Sequence, residues 1–244
     1  MISSAAKQQL IKLKLSEITD IIEQQDGILE YANMSFDERM EYVVNSLYEI
    51  KHAKTIQGLR KRAKLKLPEA SINDIIWEDR HLDKSKILNL ATGNFILKQT
   101  NVICMGPTGA GKTFMACAIA NNAAINQGFV TKYVRMSDML NELHSPETKR
   151  SKIRKKYASP EVLILDEWLT SEDIANEDIS FLLDLMEDRS ESKSTIFCTL
   201  YPISQWNDKL KKRVIGQSVI DRIVHNSSIV ECGTQNMRAI TSPK

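Results

Sequence analysis

Apolar positions in the first quarter of the chain recur at helical spacing. In residues 7–25, KQQLIKLKLSEITDIIEQQ, the positions Leu10, Leu15, Ile18, Ile21 and Ile22 predict an amphipathic helix. Ser35-Phe36-Asp37-Glu38 reads as a capping box, with Ser35 at the N-cap and Glu38 reaching back to it. Met40, Val43, Val44, Leu47 and Ile50 continue as a second amphipathic helix. This helix runs into a basic stretch ended by Pro68, where the helical, glycine-poor composition stops. A small all-helical N-terminal domain over 1–67 and a larger domain over 68–244 are therefore expected.

Beyond the boundary the period changes. NVICM (101–105) is a short apolar strand, and 112–127 is alanine-rich and helical. Residues 129–136 read as a strand, and VLILD (162–166) as a strand buried on both faces. A helix at about 177–190, a strand at 194–199, a helix at 216–226 and a strand at 227–232 follow. Strand alternating with helix predicts an α/β fold, a parallel sheet flanked by helices.

Bulk composition narrows the class. Hydrophobic residues make up 42% and charged residues 26%, the mix of a soluble globular protein. The net charge of +2 excludes a global polycation, but local basic patches can still act. Cys104, Cys117, Cys198 and Cys232 form no C-x-x-C pair, which suits reduced thiols and argues against a zinc site or disulfide framework. The N-terminus lacks a signal-peptide apolar core, and no apolar run reaches the roughly 18 residues of a membrane span. A cytoplasmic protein is expected.

The chemistry concentrates in one octet. Gly106-Pro107-Thr108-Gly109-Ala110-Gly111-Lys112-Thr113 fits G-x-x-x-x-G-K-[ST], between an expected strand and an expected helix. Glycines let such a loop turn its N–H groups inward, and the following helix adds free N–H groups and the positive end of its dipole. Lys112 would reach the β- and γ-phosphates of ATP, and Thr113 would bind Mg²⁺. The alternative is a glycine turn with a surface lysine, which the flanking strand and helix disfavour. The run VLILDEW (162–168) delivers Asp166 to the carboxyl edge of the sheet, where it can hold Mg²⁺. Glu167 can polarise an attacking water. A kinase would not need that second acid, so the pair favours hydrolysis.

With both motifs placed, the chain resembles the IstB family, the ATPases that accompany the IstA transposase in one class of bacterial insertion sequences. These are P-loop NTPases of the AAA+ class, similar to DnaC-type helicase loaders and the DnaA initiator. The resemblance rests on SFDERM, GPTGAGKT, LILDEW, DLMEDR (184–189), STIFCTLYPISQW (194–206), VIDRIVHNSSIVEC (219–232) and QNMRA (235–239). It implies an AAA+ parallel sheet with no large C-terminal lid. It implies nucleotide contacts from residues 106–113 with Phe114, and Asp166 with Glu167 as the Walker B acids. Arg222, in DRIVHN, looks like an arginine finger reaching the nucleotide of a neighbouring subunit; the plainer reading is a cation suiting a helix C-terminus. Arg238 is implied as a second phosphate sensor; the plainer reading is a solvated tail residue. Two positions depart from the pattern. Thr199 is the nearest candidate for the γ-phosphate sensor, since Leu200 cannot serve, and Leu169 replaces a glycine common after the tryptophan.

Two basic runs are candidates for double-stranded DNA: Lys51 to Lys66, with Lys54, Arg60, Lys61, Arg62 and Lys64, and Lys149 to Lys156, with Arg150, Lys152, Arg154 and Lys155. Such runs give sequence-independent, salt-sensitive phosphate contacts, or are simply solvated faces. Few aromatics interleave, so a single-strand stacking platform is disfavoured. His52, His81, His144 and His225 have no ligand cluster around them, and Trp77, Trp168 and Trp206 are expected in packing. The resemblance implies a homo-oligomer with ATP at subunit interfaces, acting on target DNA with an IstA-type transposase. A DnaC-like helicase loader and a nucleotide switch without turnover are the rival readings.

Overall fold

The apolar runs expected as strands form one parallel sheet in the computed structural model, which describes residues 2–171 and 174–241. The chain divides into two compact units, 1–58 and 59–244. The first holds α1 (Ser4–Lys12), α2 (Glu17–Gln25), α3 (Leu29–Ala32) and most of α4 (Phe36–Ala63). The single helix expected over 7–25 is two. The chain turns at Lys14, which adopts a left-handed φ of 60°, and Leu15 N–H closes back onto Leu10 O at 2.9 Å. The capping box forms: Glu38 N–H donates to Ser35 Oγ (3.3 Å) and Ser35 N–H to Glu38 Oε2 (2.7 Å).

The second unit begins inside α4. Ala63 and Leu65, which the sequence reading placed with the N-terminal helices, are buried in the core that packs on the sheet. Then follow α5 (Lys84–Ala91), α6 (Asn94–Leu97), β1 (Asn101–Met105), α7 (Lys112–Gln127), β2 (Thr131–Arg135), α8 (Met136–Leu143) and α9 (Arg150–Ala158). The chain continues with β3 (Val162–Asp166), α10 (Asn176–Arg189), β4 (Ser194–Thr199), α11 (Trp206–Lys209), α12 (Val214–Val224), β5 (Ser227–Glu231) and α13 (Met237–Thr241).

Strand order is β2-β3-β4-β1-β5, all parallel. Alternation sorts the side chains. Val102 and Cys104 face a core with Ile87, Phe95, Met115 and Ala116, while Ile103 faces the other core with Phe181, Ile223 and Trp206. Small residues on α7 (Ala116, Ala118, Ala120, Ala123) are fully buried, so this helix lies close against the sheet. Trp168, Phe197 and Trp206 form an edge-on aromatic cluster, the packing role expected for the two tryptophans.

Arg189 is a polar tie inside this unit, 2% exposed. It donates to Thr195 Oγ1 (2.8 Å) and to the carbonyls of Tyr157 (3.0 Å), Ala158 (3.2 Å), Pro160 (2.9 Å) and Ser194 (2.5 Å). One guanidinium thus fixes the ends of α9 and α10 and the entries to β3 and β4. Burial lowers its pKa to about 9. Only the short α13 follows β5, so no lid domain is seen among the described residues. No helix among them is long and apolar enough to cross a membrane.

Candidate functional site

From β1 the chain crosses to β2 at one edge of the sheet, and it returns through β3 and β4 before adding β5 beyond β1. Ligands of open α/β sheets bind where such an order reverses, at the carboxyl ends of the strands. A cleft of about 770 Å³ lies there. Thr108, Gly109, Gly111, Lys112, Thr113 and Phe114 line it from the loop after β1, and Asp166, Glu167 and Thr170 from the end of β3.

Gly109 and Gly111 have φ of +87° and +86°. The φ at Gly109 strains any other residue, and a Cβ there would also push aside the Asn236 side chain, whose Oδ1 would lie 2.3 Å away. Gly111 caps α7, a 16-residue helix whose N-terminal N–H groups open into the loop. Lys112 Nζ donates to Gly106 O and Pro107 O, 2.8 Å each. Burial lowers its pKa below the ordinary lysine value.

Asp166, 3% exposed, is held by four donor contacts. Thr113 Oγ1 lies 2.9 and 3.1 Å from its two carboxylate oxygens. Glu167 N–H donates to Oδ1 at 3.0 Å, and Tyr133 O–H to Oδ2 at 2.8 Å. Burial and then Asp166 raise the Tyr133 pKa, so the phenol remains a donor across the ordinary pH range. Glu167 itself adopts a φ of 57°, as does Leu169. The glycine expected at 169 would suit that backbone, yet Leu169 is fully buried there.

The other expected residues are placed unequally. Arg238 lines the same cleft. Thr199 does not: its buried hydroxyl accepts from Tyr201 N–H (3.1 Å) and lies 3.3 Å from Trp168 O, while Cys198 and Leu200 face the cleft instead. Arg222 lies at the opposite edge of the sheet, in a second cleft lined by Asn101, Lys193 and Asn226, which precede or begin their strands. There it pairs with Glu187 at 2.5 Å and donates to Ser218 O at 3.2 Å.

The two basic runs also divide. Lys51 and Lys54 pair with Glu17. Arg60, Lys61, Arg62 and Lys64 are exposed. On α9, Arg150 and Arg154 turn toward α10 and pair with Asp184 and Asp188, and Lys156 pairs with Glu142. Lys149, Lys152 and Lys155 are exposed. Lys132 on edge strand β2 has its pKa lowered, first by burial and then by Lys64 and Lys156, so the two runs converge around it.

Residues 8–244 match the family model described as IstB-like ATP binding protein. The chain belongs to this family. A Pseudomonas fluorescens protein named for ATP binding in insertion sequence IS1162 is 33% identical over 209 residues, spanning 84% of this chain and 89% of that one. Among solved structures, DnaI superposes with a TM-score of 0.57 at 21% identity, over 70% of this chain and 91% of that one. AMPPCP-bound DnaA from Aquifex aeolicus gives 0.56 at 17%, over 70% and 52%. These two likenesses show the P-loop AAA+ fold. The geometry fits the family's ligand: a helix N-terminus and glycine turns for phosphates, and the all-oxygen pair Thr113 and Asp166, which suits a hard divalent cation.

Tyr133 and Lys132 carried no sequence signal: both lie on edge strand β2, and nothing in their neighbours along the chain marks them. Cys198 and Leu200 flank the expected sensor Thr199 at the end of β4, which pairs with β1.

Proposed function

We propose that this IstB-like protein is an ATP-hydrolysing, DNA-binding AAA+ protein that oligomerises on target DNA and assists an IstA-type transposase. The observation that supports it is the convergence of Lys112, Thr113, Asp166 and Glu167 on one cleft, in a chain matched to the family from residue 8 to its end. Residues 106–113 would hold the triphosphate, with Phe114 and Arg238 beside it. Thr113 and Asp166 would hold Mg²⁺, whose charge offsets that of the phosphates. Glu167 would take the proton from the water that attacks the γ-phosphoryl group.

Arg222 would act in trans. It faces away from its own nucleotide cleft, so a neighbouring subunit's nucleotide is its partner in this reading, and it must exchange Glu187 for phosphate. Head-to-tail contacts of this kind place ATP at each interface and repeat one DNA-facing patch along the assembly. The patch would comprise Arg60, Lys61, Arg62 and Lys64 with Lys149, Lys152, Lys155 and Lys156, around Lys132. Arg150 and Arg154, paired with α10, and Lys156, paired with Glu142, would contribute less. Likeness to DnaI concerns the fold alone and does not support helicase loading.

Assembly on duplex DNA with ATP tests the reading. Lys112→Ala is expected to abolish ATP-dependent assembly, and Glu167→Gln to bind ATP and hold the assembly on DNA. If both variants assemble like the parent without nucleotide, the proposal fails. Recovery with a helicase hexamer but not a transposase would favour the loader instead.

A further inference from the structure

Arg80 lies outside every motif, yet it is 4% exposed and lines the nucleotide cleft. Its neighbours Asp79 and His81 both have left-handed φ, 55° and 52°, so the chain bends sharply on either side of it. Nη1 donates to Ile76 O at 3.2 Å. Nη2 donates to Ala110 O at 2.8 Å and Cys232 O at 2.9 Å. No carboxylate pairs with it among the described residues, and its Nε is buried without a hydrogen-bond partner. A cation buried without an acid is costly, and an apolar side chain would fill the same volume at less cost. Its placement beside the loop of residues 106–113 calls for a role.

We propose that Arg80 is a positioning residue for nucleotide phosphates, orienting the loop and tying it to the C-terminal tail. The peptide between Ala110 and Gly111 is planar and trans, so its C=O and N–H point in opposite directions. Anchoring Ala110 O on the guanidinium turns the Gly111 N–H the other way, toward the concave side of the loop that receives anions. The same nitrogen holds Cys232 O at the exit of β5. From there the tail returns over the loop: Gln235 Nε2 donates to Asp79 O (2.8 Å) and Met237 N–H to Gly109 O (2.8 Å). The carbonyls of residues 109 and 110 are thus both held from outside, one by the tail and one by Arg80. Arg238, next to Met237, lines the cleft through this arrangement. The buried charge also adds a fixed positive field beneath the phosphates.

This inference rests on the phosphate-site reading, and the experiment separates the two. Affinities for AMP, ADP and ATP are measured calorimetrically on the full-length parent, Arg80→Met and Arg80→Lys, with thermal melts taken without nucleotide. Arg80→Met is expected to bind ATP about 10- to 100-fold more weakly, the loss of a hydrogen bond to a charged group. Arg80→Lys, which keeps the charge and a single donor nitrogen but loses the separate Nη1 bond to Ile76 O, is expected to fall between. The loss should grow from AMP to ADP to ATP. Parent-like ATP affinity in either variant, or the same fractional loss for all three nucleotides, overturns the inference. If Arg80→Met does not fold, Arg80→Lys decides on the same series. A parent that binds no ATP overturns the site reading, and the inference with it.

Discussion

Removing one oxygen from Tyr133 tests how Asp166, the carboxylate proposed to hold Mg²⁺, is held. Asp166 is buried, and its Oδ2 accepts from Tyr133 O–H at 2.8 Å and from Thr113 Oγ1 at 2.9 Å. Thr113 has a single hydroxyl proton, shared with Oδ1 at 3.1 Å. In the proposed complex that threonine oxygen turns toward Mg²⁺, which leaves the tyrosine as the fixed donor to Oδ2. Tyr133→Phe deletes this donor and keeps the ring. A hydrogen bond to a charged group contributes about 1.5–3 kcal/mol. Glu167 N–H and Thr113 still serve the carboxylate, so the lower end, about 1.5 kcal/mol, is expected. For a domain of this size that lowers Tm by about 3–6 °C. Loss of an outer partner typically weakens metal affinity about 10- to 100-fold. The assay is a Mg²⁺ titration of a fluorescent ATP analogue, beside a melt without nucleotide. Binding without Mg²⁺ should change by less than about twofold, because the phosphate loop is untouched. A variant with the parent's Mg²⁺ dependence and the parent's Tm would refute the claim that Tyr133 holds Asp166.

Three further outcomes follow from the same geometry. Arg222→Ala should keep the nucleotide affinity of the isolated chain and lose about 10³-fold in phosphate release from the assembly, as expected when a cation supplied in trans is removed; parent-like release would assign Arg222 to the Glu187 ion pair alone. Lys152→Ala and Lys155→Ala should each reduce the slope of log affinity for duplex DNA against log salt by about 1, while Arg150→Ala and Arg154→Ala should leave it nearly unchanged. Arg189→Met should destabilise the fold by about 3 kcal/mol or more in urea melts, through buried carbonyls left without donors.

The phosphate loop and its acids were legible along the chain because their physics is local. Eight consecutive residues supply the glycine turns, the lysine and the helix start, and four apolar residues (Val162 to Leu165) deliver Asp166 and Glu167 to one edge of a sheet. Strand and helix alternation likewise announced the parallel sheet. Spacing alone failed where one turn decides the outcome: residues 7–25 keep a helical pattern, yet Lys14 turns left-handed and splits them. At Thr199, the sensor candidate that the family resemblance suggested, Tyr201 N–H and Trp168 O engage the hydroxyl instead.

By itself, then, the sequence determined that this is an ATP-binding chain and which contiguous residues line the candidate cleft, because close neighbours along the chain set the loop, the helix start and the strand end. Only the tertiary structure decided what surrounds that loop. Arg80 and Cys232 meet across 152 positions, and Tyr133 reaches Asp166 across 33. Likewise, Arg150 and Arg154 lose their free charge to α10 while Lys132 gains basic neighbours from two separate runs. Such pairings depend on strand order and helix packing, which no local pattern of residues encodes.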